Sequence, residues 1–216
     1  MIALQLGQDR NASLKVLCLG AHSDDIEIGC GGSLLRLLSG NQQLDVTWVV
    51  FSSSKEREQE ARNSSELFLH KAHRKELIVK TFRDGFFPFD GAQIKDVFEN
   101  LKRVSPDLIF THSRKDAHQD HRLLAELTWN TFRNHLILEY EIPKYDGDVG
   151  QPNLFVPLDQ AIYESKVSYL MEAFQTQRGK RWFEKETFLA LMRLRGMECN
   201  APSGYAEAFY CRKLFL

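Results

Sequence analysis

Residues 14–32 read LKVLCLGAHSDDIEIGCGG, and this stretch decides the fold of the chain. Its opening segment, 14–20, is a short apolar run that ends in glycine, as expected for a strand buried on both faces. Residues 31–38 (GGSLLRLL) follow a helical pattern, and the Ser-Gly-Asn sequence at 39–41 is typical of a helix end. A buried strand, a glycine turn and a helix make up the unit from which parallel α/β sheets are assembled.

The same unit recurs along the chain. Alternating strands and helices predict a Rossmann-like three-layer α/β sandwich, in which helices cover both faces of a mostly parallel central sheet. A stretch rich in proline and glycine at 141–157 is predicted to be a long loop. The other predicted strands lie at 44–51, 76–80, 107–112 and 208–216, and the other predicted helices at 55–72, 94–104, 118–135, 163–174 and near 188–192.

The composition is that of one ordinary globular domain, which we expect to span residues 1–216. The chain carries 28 basic and 29 acidic side chains and a formal net charge of −1, without a basic tail, so a nucleic-acid partner is not expected. Residues 1–16 do not resemble a signal peptide, and no apolar run approaches the roughly 20 residues of an integral membrane segment. We therefore expect a soluble, cytoplasmic protein with reduced cysteines. The sequence does not decide whether the chain forms a homo-oligomer.

A first cluster of ionisable side chains, AHSDDIE at 21–27, directly follows the first predicted strand. His22 and Asp25 are three residues apart in a turn and can converge on one cation, which leaves Asp24 free to act as a base. An alternative is that Asp24 and Asp25 only cap a helix that begins near Ile28. A glycine loop for a nucleotide phosphate is a further alternative, but neither a GxGxxG nor a GxxxxGK[ST] pattern is present.

A second cluster, DAHQDH at 116–121, follows the predicted strand at 107–112 and opens a helix. His118 and His121 are three residues apart, so they lie on one helical face. A catalytic zinc site needs three protein ligands and a position for water, with a further group to transfer protons. The alternative is a polar helix start with exposed histidines. Both clusters follow strand ends at the same edge of the predicted sheet, where ligands bind in such folds, and this favours one shared site.

The segment AHSDDIEIGCGG at 21–32, together with HQDH at 118–121, resembles the PIG-L (LmbE-like) family of zinc-dependent N-deacetylases. Three further segments are similar to family motifs in the expected order: REQEA at 57–61, FRDG at 82–85 and GYAEAF at 204–209. The resemblance implies that His22, Asp25 and His121 are zinc ligands and that Asp24 is the general base. It also implies that His118 stabilises the oxyanion and protonates the leaving amine.

The resemblance further implies that Asp120 orients the His118 imidazole or a neighbouring ligand, and that Arg57 and Asp84 contact substrate hydroxyls. The chain departs from the family at Ser23, where the family usually has proline. Proline would restrict φ and stiffen the turn, so serine puts the rigidity of this loop in doubt but not its chemistry.

These features predict a zinc-dependent hydrolase that removes the N-acetyl group from an amino sugar and releases acetate and a free amine. The sugar could be linked to a nucleotide or a lipid, since Arg83, Arg114 and Lys115 could meet a phosphate or could be solvated loop charges. Phenylalanines at 86, 87 and 89 could form an apolar wall for the sugar ring or pack in the core, and loop 141–157 could close over the substrate. The alternatives are an amidase for a bulkier amide such as a thiol conjugate, and a noncatalytic metal- or sugar-binding protein.

Overall fold

The computed structural model describes Leu6 and residues 13–40 and 43–214. These residues form seven strands: β1 (Leu14–Gly20), β2 (Leu44–Val50), β3 (Arg74–Val79), β4 (Leu108–His112), β5 (Leu136–Tyr140), β6 (Leu154–Pro157) and β7 (Ala206–Cys211). They also form six α-helices: α1 (Asp25–Ser39), α2 (Lys55–Phe68), α3 (Gly91–Leu101), α4 (Gln119–Thr131), α5 (Gln160–Ala173) and α6 (Lys185–Glu198). No helix in this part of the chain combines the length and apolar character that crossing a bilayer requires.

All seven strands belong to one sheet with the order β3-β2-β1-β4-β5-β7-β6. Strands β1 to β5 pair in parallel, and β7 runs antiparallel to both β5 and β6. The chain moves from β1 outward to β2 and β3, and then returns to place β4 on the other side of β1. The strand order reverses at this point, which leaves a crevice at the carboxyl ends of β1 and β4.

The sheet is the middle of three layers, as the sequence predicts. Successive residues of β1 point to opposite faces, so Val16 and Cys18 pack with α1, α2, α5 and α6, whereas Leu17 and Leu19 pack with α3 and α4. All four side chains are fully buried. The apolar character of residues 14–20 therefore reflects a strand that is covered on both sides.

Several predicted element boundaries are wrong. The helix predicted at 118–135 ends at Thr131, and residues 136–140 form β5, which pairs with β4. The predicted loop 141–157 contains β6, which the sheet edge recruits by pairing with β7. The last strand is Ala206–Cys211 instead of 208–216, and residues 215–216 of that prediction lie outside the described part of the chain. These segments are strands because they pair with neighbouring strands, and such long-range pairing is not visible in local sequence patterns.

Helix α1 lies unusually close to its neighbours. A Cβ atom added to Gly29 would lie 2.2 Å from Cδ2 of Tyr140. Farther along α1, the backbone amides of Gly32 and Ser33 donate to the carboxylate of Glu207 on β7, at 2.7 and 2.6 Å. Lys166 of α5 donates to the same carboxylate at 2.5 Å and to the carbonyl oxygen of Ile28 at 2.6 Å. A buried ion pair thus joins α1, α5 and β7.

Candidate metal centre

Three predicted ligands come together in the crevice between β1 and β4. His22 Nδ1 lies 3.3 Å from Asp25 Oδ2 and 3.2 Å from His121 Nε2, although His22 and His121 are 99 residues apart in the chain. His121 Nε2 lies 3.6 Å from Asp25 Oδ2. All three side chains are buried. A tetrahedral ion with bonds of about 2.0–2.2 Å holds its ligand atoms roughly 3.4 Å apart, so this set of donors fits a zinc ion.

The turn after β1 holds His22 and Asp25 in this geometry. The backbone amide of His22 donates to Asp25 Oδ2 at 2.6 Å, and α1 begins at Asp25 instead of near Ile28 as predicted. Ser23, which replaces the family proline, is fully buried, and its Oγ lies 3.1 Å from Oγ of Ser53. Burial and this hydrogen bond hold the serine in a turn that proline would stiffen through its restricted φ.

A carboxylate lies behind each of the two histidines. His121 Nδ1 is 2.9 Å from Asp116 Oδ2, and His22 Nε2 is 3.0 Å from Asp84 Oδ1 and 3.5 Å from Asp120 Oδ2. Metal-ligating histidines usually donate their second N–H to such a group, which fixes the tautomer and the ring orientation. In this site, the contacts with the carboxylates direct Nδ1 of His22 and Nε2 of His121 toward each other. The role of Asp116 was not predicted, and its place five residues before His121 in a turn was the available signal.

The charges of the cluster suit a cation. Burial would raise the pKa of Asp25, but the imidazoles of His121, His112 and His22 outweigh burial and hold that pKa well below its usual value. Burial would likewise lower the pKa of His22, yet the nearby carboxylates, chiefly that of Asp25, raise it well above 6.5. Asp25 is therefore an ionised carboxylate among imidazoles, and this set of donors suits a divalent cation.

His112, the last residue of β4, is a further histidine of the cluster that the sequence analysis missed. Its ring stacks on that of His121 with centroids 3.9 Å apart. Its Nε2 accepts a hydrogen bond from the backbone amide of Ala21 at 2.9 Å, so the lone pair on this nitrogen is already used. Burial, followed by the nearby His121, lowers the pKa of His112 to about 4. We interpret His112 as a neutral packing partner of His121, and its position at the end of a buried strand was the available signal.

Asp24 directly precedes the predicted ligand Asp25 and has one carboxylate oxygen unused. Its Oδ1 accepts from Nη2 of Arg57 at 2.8 Å, and its buried Oδ2 has no hydrogen-bond partner among the described residues. Burial raises the pKa of Asp24, while Arg57 opposes that rise. Asp24 occupies the N-cap position of α1 but makes no side-chain capping bond, so the capping alternative does not explain this residue.

His118 and Asp120 face the cluster from the start of α4. His118 is the N-cap residue of α4, and its ring centroid lies 4.6 Å from that of His121 and 5.1 Å from that of His22. Its Nδ1 accepts the backbone amide of Asp120 at 3.3 Å, which places a ring proton on Nε2. Burial, together with the charges of His121 and His22, lowers the pKa of His118. The half-exposed His118 is thus positioned to donate a proton from Nε2.

The fully buried carboxylate of Asp120 accepts the backbone amides of Gly85 and Phe87 at 2.6 and 3.1 Å. It therefore fastens the segment after β3 to α4. The sequence left open whether Asp120 orients His118 or a neighbouring ligand, and its Oδ2 lies 3.5 Å from Nε2 of the predicted ligand His22. The same segment carries Asp84, whose side chain is 65% exposed although it reaches His22. The hydrogen bond with His22 lowers the pKa of Asp84 to about 2.

The outer residues of the site divide into buried and exposed groups. Phe87 packs in the core under α3 and α4, whereas Phe86 and Phe89 are exposed. The Arg83 guanidinium lies 3.5 Å from the centroid of the Phe86 ring. Arg114 and Lys115 are exposed beside the second cluster. In the described part of the chain, every group of side chains close enough to share a metal ion overlaps with the cluster of His22, Asp25 and His121.

Several solved structures share this architecture. A conserved protein from Thermus thermophilus superposes with a TM-score of 0.73 and 20% identity over 94% of this chain and 96% of its own. The N,N'-diacetylchitobiose deacetylase of Pyrococcus horikoshii gives 0.72 and 20% identity over 95% and 86%. A 4-carboxy-2-hydroxymuconate hydratase of Pseudomonas putida gives 0.71 and 17% identity over 94% and 98%. At this level of identity, these likenesses show a common fold.

The sequence itself matches one family. The profile of the PIG-L family, described as GlcNAc-PI de-N-acetylase, matches residues 17–132. This range is more than half of the chain and contains every side chain of the candidate metal centre, from His22 in the first cluster to His121 in the second. The match and the fold confirm the resemblance seen in the sequence motifs, and the chain belongs to the PIG-L family.

Proposed function

We propose that this protein is a zinc-dependent hydrolase that removes the acetyl group from the nitrogen of an amino sugar. The observation that carries the proposal is a set of three donor atoms that lie 3.2–3.6 Å apart, with the unpartnered Oδ2 of Asp24 on the residue before Asp25. Membership of a family described as a de-N-acetylase supports the same chemistry. The structural similarity to a chitobiose deacetylase, which acts on an N-acetylated sugar, is consistent with it.

His22, Asp25 and His121 would hold the metal. A zinc ion bound there would polarise the acetyl carbonyl and lower the pKa of water to about 7. Asp24 accepts the proton of the attacking water through its free Oδ2, and the guanidinium of Arg57 keeps the other carboxylate oxygen in place. These two residues therefore supply and orient the base.

His118 completes the set of groups that the reaction needs. Its Nε2 carries a proton because Nδ1 accepts a backbone amide. This N–H group donates a hydrogen bond to the developing oxyanion, and when His118 passes its proton to the departing nitrogen, the proton that Asp24 took from water replaces it, so that acetate and a free amine are released. Asp84 binds His22 through one oxygen, and its exposed side chain leaves the second oxygen for a substrate hydroxyl. Arg57 can contact a substrate hydroxyl while its Nη2 stays hydrogen-bonded to Asp24.

Two substitutions at adjacent positions test the assignment. Asp24→Asn should keep its zinc but lose roughly 10²- to 10⁴-fold in kcat, the usual worth of a general base. Asp25→Asn should lose both zinc and activity. Metal content is measured by elemental analysis and turnover by acetate release, with Asp96→Asn on the exposed face of α3 as the control. Wild-type turnover of Asp24→Asn at saturating zinc would refute the assignment of the base.

A substrate panel separates the amino sugar from the alternatives. The panel contains free, nucleotide-linked and lipid-linked N-acetylhexosamines together with amides of thiol conjugates, and amine formation is measured for each. Acetate from a sugar supports the proposal, and cleavage of a thiol conjugate alone favours the amidase for bulkier amides. Zinc binding without release of amine from any member would leave a noncatalytic binding protein.

A further inference from the structure

The carboxylate behind His121 is itself held by a cation from a distant loop. Asp116 contacts His121 Nδ1 through Oδ2 at 2.9 Å and Lys144 Nζ through Oδ1 at 3.1 Å. Lys144 also donates to both oxygens of Asp148, at 2.7 and 2.6 Å. The side chains of Asp116, Lys144 and Asp148 are only 3%, 12% and 14% exposed. A continuous chain of charged contacts therefore runs from the metal centre into the segment 141–153 between β5 and β6.

Backbone contacts fasten the same segment to the turn before α4. Asp148 Oδ2 accepts the amide of Ala117 at 2.6 Å, and Asp116 Oδ1 accepts the amide of His118 at 2.8 Å. Gly147 has a φ of +61°, a left-handed conformation that lets the chain reverse between Lys144 and Asp148. Both residues can consequently reach the metal side of the molecule from one short turn.

The position of Lys144 limits how Asp116 can move. A carboxylate that contacts only an imidazole can rotate about its Cβ–Cγ bond and draw the ring with it. With Oδ1 held by Lys144 and the His118 amide, Oδ2 stays in line with Nδ1 of His121. The orientation of Nε2 toward His22 and Asp25 follows from this, because the imidazole is rigid.

We propose that Lys144 is a positioning residue of the metal centre, and that the segment 141–153 and the bound metal stabilise each other through Asp116. The proposal rests on the metal site of the proposed function. Coupling between two sites is reciprocal, so a change that releases the segment weakens metal binding, and bound metal in turn holds the segment closed.

Metal affinity tests this directly. Lys144→Met keeps an unbranched side chain one atom shorter and removes the charge, and it should raise the dissociation constant for zinc by roughly 10- to 100-fold, as measured by competition with a chromophoric chelator. The d–d absorption bands of a bound Co²⁺ ion should shift, because His121 is no longer held at the same angle. Lys144→Arg should keep most of the affinity, and Lys71→Met, at an exposed position after α2, should leave both measurements unchanged.

Proteolysis measures the opposite effect, namely how bound metal stabilises the segment 141–153. Tyr145, the residue after Lys144, is 76% exposed, and chymotrypsin can cleave on its carboxyl side. Zinc should slow this cleavage in the wild-type protein and should have no effect in Lys144→Met. Asp148→Asn provides a second variant in which Lys144 and Asp116 both remain, and it should lose the protection by zinc with a smaller loss of affinity.

The outcomes separate this inference from the proposed function. Lys144→Met and Asp148→Asn that are folded by circular dichroism and bind zinc and Co²⁺ like the wild type would overturn the inference alone. A wild-type protein that binds no divalent ion would overturn the proposed function and the inference with it. Weaker binding with an unchanged Co²⁺ spectrum and unchanged proteolysis would assign Lys144 a general electrostatic effect and also refute positioning.

Discussion

At the scale of single residues, the pair of Arg57 and Asp24 determines the pH at which the proposed base works. Arg57 Nη2 lies 2.8 Å from Asp24 Oδ1, and the two side chains are 20% and 5% exposed. Burial and the neighbouring Asp25 raise the pKa of Asp24, and Arg57 opposes them. A general base acts in its deprotonated form, so activity is lost as the pH falls through this pKa.

Arg57→Gln removes the opposing charge, so the pKa of Asp24 should rise and the acid limb of the kcat/KM profile should move to higher pH. A hydrogen bond to a charged group is worth about 1.5–3 kcal/mol, so kcat/KM on the acid side should fall by roughly 10- to 100-fold. Arg62→Gln, at an exposed pair with Glu58 in the same helix, serves as the control. An acid limb that stays in place in Arg57→Gln would contradict the role of this pair.

The sequence predicted which residues meet at the site better than it predicted their contacts. The two clusters converge because the carboxyl ends of parallel strands share one edge of the sheet. The sequence did not reveal that the ring of His112 stacks on that of His121, or that the carboxylate of Asp116 contacts Nδ1 of His121. Those contacts depend on side-chain directions at the end of β4, which no spacing rule specifies.

At the scale of elements, the packing of α1 against β5 tolerates little change. The ring of Tyr140 lies where a side chain at Gly29 would begin. Tyr140 cannot move away easily, because it is fully buried and its hydroxyl donates to the carbonyl oxygen of Leu19 at 2.6 Å. This close approach holds the N-terminal half of α1 against Tyr140, the last residue of β5.

Gly29→Ala should therefore lower the free energy of unfolding by about 1–3 kcal/mol, even though alanine is the better helix former by about 1 kcal/mol. Urea denaturation measures the free energy of unfolding of the variant and of the wild type. Gly91→Ala in α3 is the matched control, since its added Cβ meets nothing within 4 Å, and it should be neutral or slightly stabilising. A Gly29→Ala protein as stable as the wild type would show that β5 can shift to accommodate the methyl group.

Elements were predictable from the sequence where they are long or continuously apolar. Strands β1, β2 and β4 and helix α2 satisfy these conditions. Strand β5 lies between the predicted helix 118–135 and the predicted loop 141–157 and was assigned to neither, and β6 is a four-residue edge strand inside a segment rich in proline and glycine. Both depend on partners that are distant in sequence, namely β4 and β7.

At the scale of the whole molecule, the metal would join two parts of the sheet that are far apart along the chain. His22 and Asp25 follow β1, whereas His121 belongs to α4 beyond β4. An ion that binds the folded but not the unfolded chain adds about 4 kcal/mol of stability at a thousand times its dissociation constant.

Removal of zinc with a chelator should consequently lower the Tm by on the order of 10 °C for a protein of this size. Scanning calorimetry with and without chelator measures the difference. His121→Ala should have a lower Tm that no longer responds to the chelator. A similar response in wild type and His121→Ala would place the stabilising ion elsewhere.

The contact of Glu207 with the amides of Gly32 and Ser33 also bears on how the protein is made. A ribosome releases residues 14–121, which include every proposed ligand, well before it synthesises β7. Until β7 has been inserted between β5 and β6, α1 lacks the carboxylate that accepts these amides, and Lys166 lacks its counter-ion. A nascent chain that stalls before this point therefore lacks the ionic contact that ties α1 to α5 and to the far edge of the sheet.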